Sequence, residues 1–220
     1  MHCISMQDRH QNVAVGKIVC VARNYAEHAR ELGNPVPDSA VLFIKPAGTI
    51  VADGGTVLIP SYSSDCHHEI ELAVLIGRTG KAIAEAEALD FVAGFGVALD
   101  LTLRDVQAGL KAKGLPWEIA KAFDTSCPLS AFVPAAAVAD PQRLRLRLLV
   151  NGEVRQEGTT ADMLRPVARL ISEASTYFTL EAGDILLTGT PSGVGPIRNG
   201  DRLEATIEGV GTLRVDVRQC

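Results

Sequence analysis

The stretch His67-His68-Glu69-Ile70-Glu71-Leu72-Ala73-Val74-Leu75-Ile76-Gly77 predicts the β-strand that decides the fold. Isoleucine, valine and leucine are concentrated in it, and a glycine ends it. Because side chains two positions apart on a strand point to the same face, Glu69 and Glu71 share one face. Two adjacent carboxylates repel each other, and a hard cation such as Mg2+ or Mn2+ relieves that repulsion. The alternative is an alternating strand whose glutamates face water and whose apolar residues face the core.

Length and composition predict a globular chain with one core. The chain has 220 residues, of which 47% are hydrophobic and 21% charged. We expect an N-terminal extension over residues 1–16 and a single domain over residues 17–220. A net charge of −5, without any block of basic residues, argues against a nucleic-acid partner.

The expected location is the cytoplasm. The N-terminus lacks the apolar core of a signal peptide. The longest apolar run, near residues 92–99, is too short for a membrane-spanning helix, so we expect no membrane partner. The five cysteines are odd in number and include no Cys-x-x-Cys pair, which fits a reducing compartment.

Many short strands, separated by turns and scattered helices, predict a strand-dominated α+β fold. Asn151-Gly152 predicts a hairpin between neighbouring strands. Asn24 is expected to cap a helix that runs to Leu32, with Glu27 completing a capping box. Residues 33–38 are expected to form a loop, and 124–141 loops and turns. Further helices are predicted over Ala82–Leu89, Leu103–Lys113 and Met163–Phe178.

Asp100 is the expected third carboxylate of the site. It ends the apolar run 91–99, where an isolated charge would be costly unless it lay at the rim of a pocket. The alternative is that Asp100 caps the helix that follows. His67 and His68 stand beside the glutamates, but a site of three carboxylates does not require them.

His28 and Glu31 form a candidate base pair. They are three residues apart on the first predicted helix, so they share a face. A carboxylate beside an imidazole raises its basicity and fixes its orientation, as a general base requires. The alternative is a surface pair that contributes only a few tenths of a kcal/mol.

Further candidates are polar groups that would contact a substrate. Lys121 would stabilise an oxyanion, although a lysine between alanines is also typical of a surface residue. Arg104 and Gln107, one helical turn apart, are suited to holding a carboxylate. The glycine-rich stretch 189–195, which contains Thr190, would bind an anion through its backbone N–H groups.

Taken together, six motifs in order identify a family resemblance that runs from about Lys17 to Val217. The chain resembles the fumarylacetoacetate hydrolase superfamily, in the short single-domain form that includes acylpyruvate hydrolases. The motifs are Arg23-Asn24-Tyr25-Ala26-Glu27-His28, Leu42-Phe43-Ile44-Lys45-Pro46, His67-His68-Glu69-Ile70-Glu71-Leu72, Gly96-Val97-Ala98-Leu99-Asp100 with Arg104-Asp105-Val106-Gln107, Lys121-Ala122-Phe123-Asp124-Thr125-Ser126-Cys127-Pro128, and Thr188-Gly189-Thr190-Pro191-Ser192-Gly193-Val194-Gly195.

The resemblance implies a single catalytic domain with a mixed β-sandwich-like roll, and a homodimer. It also implies an Mg2+ or Mn2+ site, a water-activating dyad, an oxyanion-stabilising lysine and a group of substrate-binding residues. In this chain those positions are Glu69, Glu71 and Asp100 for the metal, His28 and Glu31 for the dyad, Lys121 for the oxyanion, and Arg23, Lys45, Arg104, Gln107 and Thr190 for the substrate.

The expected substrate is a small 2-oxo acid, and the expected reaction is cleavage of an acylpyruvate to pyruvate and a carboxylic acid. The same site would also suit decarboxylation of oxaloacetate or its keto–enol tautomerisation, or an isomerisation in aromatic-acid breakdown. A non-catalytic binding protein with a decayed site is the remaining alternative. All six required residue types are present at the metal, dyad and lysine positions, which argues against decay.

Overall fold

A computed structural model of the protein describes residues 2–7, 12–33 and 35–220. The parts of the expected N-terminal extension and of the predicted 33–38 loop at residues 1, 8–11 and 34 lie outside this range. The described strands, in chain order, are β1 Cys3–Ser5, β2 Asn12–Ala14, β3 Lys17–Ala22, β4 Val41–Pro46, β5 Ile50–Ala52, β6 Thr56–Ile59, β7 Cys66–His68, β8 Ile70–Ile76, β9 Val92–Leu99, β10 Thr102–Leu103, β11 Cys127–Leu129, β12 Val133–Pro134, β13 Arg145–Val150, β14 Glu153–Thr159, β15 Ile185–Leu187, β16 Gly195–Ile197, β17 Arg202–Ile207 and β18 Gly211–Gln219.

Two large sheets form the fold, which confirms the strand-dominated α+β prediction. The larger sheet has the order β4-β3-β15-β8-β9-β11-β5, with β12 on β9. The second sheet has the order β14-β13-β17-β18-β6, and two small sheets, β10-β7-β16 and β1-β2, complete the described strands. The result is a roll of mixed sheets around a shared core.

The strand predicted over residues 67–77 is divided into β7 and β8, which lie in different sheets. Strand β8 lies at the centre of the larger sheet and is buried on both faces. Ile70, Leu72 and Val74 pack into the main core, which the second sheet and one helix also fill. Ala73 and Leu75 face a smaller cluster on the other side. Because both faces are covered, the face that carries Glu71 is not open to bulk water, and the water-facing alternative is wrong.

The predicted hairpin is confirmed. β13 and β14 pair antiparallel around Asn151 and Gly152, which have φ angles of 54° and 82°. This left-handed backbone is what a tight two-residue hairpin requires, and asparagine and glycine adopt it most readily. The hairpin places β14 beside β13, at the edge of the second sheet.

The helices are short and lie at the edges of the sheets. The predicted helix over Met163–Phe178 begins only at residue 167, because Pro166 is its N-cap. The helix predicted over Ala82–Leu89 is a 3-10 helix and lies slightly later in the chain, over Glu85–Phe91. The α-helices are α1 Ala26–Glu31, α2 Arg104–Ala112, α3 Glu118–Lys121 and α4 Val167–Tyr177, and the other 3-10 helices are Ala47–Thr49, Ala135–Ala137 and Thr160–Asp162.

The predicted cap of α1 is wrong. Tyr25 occupies the N-cap position, and no side chain caps the helix. The Asn24 side chain instead donates to the carbonyls of Arg165 and Thr188, at 3.0 and 2.9 Å, and accepts from the Arg165 N–H at 2.9 Å. Asn24 is buried, and its amide can satisfy three backbone groups at once. It therefore joins the start of α1 to two distant loops.

The region 124–141, predicted as loops and turns, contains two short strands. β11 pairs parallel with β5 and antiparallel with β9, and β12 pairs with β9. Both strands contain a proline, a residue that argues against a strand, so the sequence pattern did not predict them. The described part of the N-terminus forms the β1-β2 hairpin, and Ile4 packs on the smaller cluster. Within the described residues, no helix has both the length and the apolar composition to cross a membrane.

Candidate active site

Two neighbouring strands bring the three expected carboxylates together. Glu69 immediately precedes β8, Glu71 lies in it, and Asp100 directly follows β9, its antiparallel neighbour. The Asp100 N–H donates to the Glu69 carbonyl at 2.8 Å, which closes this end of the strand pair. Oxygen atoms of the three side chains lie within 4.8 Å of one another, and all three residues are buried. Asp100 is not a helix cap, since α2 begins at Arg104 with Leu103 as its N-cap.

Glu69 is the carboxylate that the surrounding cations compensate best. It accepts from the Lys121 ammonium at 2.8 Å, from the Thr102 hydroxyl at 2.9 Å, and from the Arg104 guanidinium. Burial alone raises the pKa of Glu69, but the charges of Lys121 and Arg104 outweigh burial and hold this pKa well below its usual range. Glu69 is therefore an anion in the folded protein.

Glu71 is in the opposite situation. Its one hydrogen bond within the described chain comes from the Gly189 N–H, at 2.6 Å. Burial, followed by the neighbouring charges of Asp100 and Glu69, raises the pKa of Glu71 well above its usual value. Glu71 therefore ionises readily only when a further cation compensates its charge.

The contact to Glu71 depends on glycine at position 189. Gly189 has a φ of 91°, which favours glycine, and a Cβ there would lie 2.8 Å from the Cβ of Asn24. The N–H can approach the carboxylate because no side chain intervenes. Glycine at this position therefore serves backbone approach, as the sequence analysis expected of the glycine-rich stretch.

Lys121 is buried, not on the surface. It lies at the end of α3, and its ammonium bridges Glu69 and Asp100 at 2.8 and 2.7 Å. Burial lowers the pKa of Lys121, but the two carboxylates outweigh burial and raise this pKa above its usual value. Lys121 therefore stays charged, and in this structure it is the cation that holds two of the three carboxylates together.

His28 and Glu31 form the expected pair on α1. The His28 Nδ1 lies 3.3 Å from Glu31 Oε2, and His28 is buried whereas Glu31 is partly exposed. Glu31 also accepts from the Gly193 N–H at 3.0 Å, so the glycine-rich stretch orients it. A proton on Nδ1, donated to the carboxylate, leaves Nε2 as the basic nitrogen.

These residues meet at one cavity, which encloses about 420 Å3 of empty space including its open mouth. Nine of the eleven residues expected from the sequence to form the site line this cavity: Arg23, His28, Glu69, Glu71, Asp100, Arg104, Gln107, Lys121 and Thr190. Arg104 also contacts Gln107 at 3.2 Å, as the helical spacing predicts.

Lys45 does not line the cavity, contrary to the sequence expectation. Its ammonium is fully buried behind Asp100, 2.9 Å from Oδ1, and donates to the Ser126 carbonyl and hydroxyl at 3.1 Å. It also contacts the Lys121 carbonyl. An ammonium with all its hydrogens engaged inside the protein supports Asp100 and α3, and does not reach a ligand.

Sequence reasoning missed a lysine and a tryptophan of the cavity wall, and a glutamine behind it. Lys111 and Trp117 line the cavity. Lys111 lies seven residues after Arg104 and four after Gln107, so helical periodicity carried the signal. Gln156 lies on β14, in the other sheet, and bonds Thr190 at 2.8 Å. No local sequence pattern predicts a contact between side chains of two different sheets.

The carboxylate cluster fits a hard divalent cation. Its donors are all oxygens, the ligands that Mg2+ and Mn2+ prefer. Glu71, which faces two further carboxylates with a single backbone donor, supplies the uncompensated charge that such an ion would neutralise. His67 and His68 are engaged elsewhere, with Asp65 and Gln156 at 2.9 Å, and do not line the cavity.

This protein gathers three carboxylates at the end of a central strand pair, inside a strand-dominated roll. The family model described as fumarylacetoacetate (FAA) hydrolase C-terminal matches residues 17–218, and the chain belongs to that family. Among its relatives, the mitochondrial oxaloacetate tautomerase FAHD1 of Mus musculus is 52% identical over 202 residues, covering 92% of this chain and 91% of the relative.

Two further similarities are informative. The oxaloacetate tautomerase YcgM of Escherichia coli is 55% identical over 196 residues, covering 89% of this chain and 90% of the relative. The crystal structure of fumarylpyruvate hydrolase from Pseudomonas aeruginosa, in complex with Mn2+ and pyruvate, has a TM-score of 0.95 at 38% identity, covering 99% of this chain and 96% of that one. These similarities identify a family of enzymes with more than one named reaction.

Proposed function

We propose that this protein is a divalent-metal-dependent enzyme that interconverts the keto and enol forms of oxaloacetate. The observation that carries the proposal is the meeting, in one cavity, of a carboxylate cluster, the charged Lys121 and the His28–Glu31 pair. The two relatives named as oxaloacetate tautomerases, each more than half identical, support this reaction over the alternatives. The proposal thereby reverses the order expected from the sequence, which put acylpyruvate cleavage first.

The reaction requires a proton to leave C3 and a proton to reach the oxygen on C2. When the C3–H bond breaks, its electron pair forms the C2–C3 double bond and the C2 oxygen becomes negative. The Nε2 of His28 is the base, since its Nδ1 is held by Glu31. The ammonium of Lys121, whose pKa is raised, stabilises the oxygen without losing its own proton, and the oxygen then takes a proton from solvent water to give the enol. A metal ion bound by Glu69, Glu71 and Asp100 would add Lewis-acid polarisation of a substrate oxygen.

The second candidate is hydrolysis of an acylpyruvate of the acetylpyruvate or fumarylpyruvate type. The similarity to fumarylpyruvate hydrolase favours it. Here His28 would take a proton from water, and the hydroxide would attack C4 of the substrate. The C3–C4 bond would break, its electron pair would pass to the pyruvate fragment, and a carboxylic acid would be released. Decarboxylation of oxaloacetate would need no activated water.

The homodimer expected from the resemblance remains a prediction.

A parallel assay separates these reactions. The Mg2+-loaded protein is given the enol form of oxaloacetate, and loss of the enol absorbance, release of pyruvate and release of CO2 are followed separately. Acetylpyruvate and fumarylpyruvate are assayed for pyruvate. We expect faster enol loss without a matching release of pyruvate. Rapid pyruvate release from an acylpyruvate, with no effect on the enol, would establish the second candidate instead. Activity that survives exhaustive treatment with EDTA would contradict both.

A further inference from the structure

We propose that Lys111, together with Arg23, binds the second carboxylate of a 2-oxo dicarboxylic acid at the mouth of the cavity. This subsite would make the enzyme selective for doubly charged substrates. The inference rests on the proposed function for the identity of the first carboxylate and the oxo group. It adds a residue, Lys111, whose role the reaction itself does not require.

The first argument is position. Arg104, Gln107 and Lys111 are three and four residues apart on α2, so they form one polar face of that helix, and all three line the cavity. Arg104 and Gln107 are engaged with the carboxylate cluster and with each other. Lys111, at the far end of the row, is the most exposed of the three residues and lies at the mouth. The row therefore leads from the reacting centre to the entrance.

The second argument is the lack of an acidic partner. Within residues 2–7, 12–33 and 35–220, neither Lys111 nor Arg23 forms an ion pair, whereas the cavity's other two cations, Arg104 and Lys121, both hold Glu69. The Lys111 ammonium lies 5.3 Å from the centre of the Trp117 ring. A cation over an aromatic face is oriented without being neutralised, so it remains able to bind an anion.

The third argument is the balance of charge. Four basic side chains line the cavity against three carboxylates. Partial burial, and then the nearby positive charges of Arg23, Arg104 and Lys121, lower the pKa of Lys111. A divalent metal would increase this excess of positive charge further. A ligand with two negative charges offsets more of this positive charge than a ligand with one. The second charge would lie at the mouth, where Lys111 and Arg23 form no ion pair with an acidic residue of the described chain.

The fourth argument is the backbone at Arg23. Its φ is 60°, a left-handed conformation that is unfavourable for a residue with a side chain. The adjacent Asn24 fixes this turn through its three hydrogen bonds to Arg165 and Thr188. An unfavourable backbone conformation at a cavity wall is typical of a residue whose side chain has a function there.

The test compares oxaloacetate with its C4 methyl ester, which has the same 2-oxo acid end but lacks the second charge. Binding to the Mg2+-loaded protein is measured by calorimetry at low ionic strength. We expect the parent to prefer oxaloacetate by about a hundredfold, or tenfold for each cation. Lys111→Met should lower this preference about tenfold by weakening oxaloacetate alone. Lys111→Arg should retain it, and Lys113→Met, at the exposed C-cap of the same helix, should match the parent.

Arg23→Gly provides the second variant. Glycine adopts a φ of 60° without strain, so we expect a lower preference for oxaloacetate with no loss of thermal stability. An unchanged preference in both Lys111→Met and Arg23→Gly would overturn the subsite. If the parent prefers the dianion but does not accelerate enol loss, the subsite stands and the proposed reaction fails. If it accelerates enol loss but binds acid and ester equally, the reaction stands and the subsite fails.

Discussion

The two walls of the cavity are built in different ways. The carboxylate wall consists of Glu69, Glu71 and Asp100 at the ends of β8 and β9, in the middle of the larger sheet. The histidine wall is α1, a helix of six residues without a side-chain cap. The first wall is held by the sheet and by charge, whereas the second is held by a few hydrogen bonds, chiefly from Asn24 and Gly193. The metal-binding residues and the histidine are thus supported by different kinds of contact.

The largest effect is expected on the carboxylate wall. Glu71→Gln should weaken Mg2+ binding by about a hundredfold or more and abolish turnover, because it removes the least compensated ligand charge. The same change relieves repulsion from Asp100 and Glu69, so the metal-free protein should unfold at the same temperature or higher. Calorimetry with Mg2+ and thermal melts after EDTA treatment check both parts. A variant that binds Mg2+ and turns over like the parent would show that the metal site is misassigned.

The next effect separates the two walls. His28→Ala should lower enol–keto interconversion and any acylpyruvate hydrolysis by about a hundredfold or more, while Mg2+ affinity stays at the parent value. Decarboxylation of oxaloacetate should be spared, since it needs no activated water. Glu27→Ala, an exposed position on the same helix, is the control. Equal loss of all three reactions would mean that His28 is not the base.

The carboxylate wall could be predicted from the sequence more completely than its surroundings. Glu69 and Glu71 are two apart in one predicted strand, and Asp100 follows another, so strand periodicity suggests a shared site. Likewise, i,i+3 spacing brings His28 to Glu31. Lys45 was misplaced because a motif shows that a position is near a site, but not whether its side chain points towards the ligand or behind it.

Other features depend on contacts between distant parts of the chain. Asparagine is a residue type that often caps helices, yet the side chain of Asn24 forms hydrogen bonds with residues more than a hundred positions away. The observed helix and strand boundaries also differ from the predicted ones near prolines. Pro166 directly precedes α4, and β11 and β12 each contain a proline. Local propensity predicts which residues form turns and caps, whereas tertiary contacts decide which polar groups those residues satisfy.

A smaller effect tests whether the walls are independent. The buried amide of Gln156 accepts from the Ile70 N–H at 3.1 Å and from His68 at 2.9 Å, and donates to Thr190 and to the Pro191 carbonyl at 2.8 and 2.9 Å. It therefore joins the carboxylate strand to the glycine-rich stretch that also holds Glu31.

Gln156→Met keeps the side-chain length but leaves these four groups without their partner. We expect a loss of about 3 kcal/mol in the free energy of unfolding and about tenfold in Mg2+ affinity and in turnover. Urea unfolding, calorimetry and the enol assay measure the three quantities. Arg155→Met, the exposed neighbour on the same strand, is the matched control. If turnover falls and Mg2+ affinity does not, Gln156 supports only the histidine wall.

The smallest effect concerns the chain that follows α1. Glu173 on α4 accepts from the Ala40 N–H at 3.1 Å and pairs with Arg165 and Arg169 at 3.2 and 2.7 Å. Burial raises the pKa of Glu173, but the hydrogen bonds from Arg169 and Ala40 and the arginine charges outweigh burial and lower this pKa. A lowered pKa in the folded state means that the stabilisation is complete above the unfolded-state value of about 4.3 and disappears as the pH falls through the folded-state value.

Glu173→Gln should therefore cost about 1 kcal/mol at about pH 7 and less at about pH 3, where protonation of the parent carboxylate removes part of its charge. Urea unfolding at the two pH values measures the difference, with the exposed Glu87→Gln as control. Turnover at neutral pH should stay near the parent value, because Glu173 contacts the chain beyond α1 and not the cavity. A cost that is equal at both pH values would show that the charge on Glu173 does not hold this segment.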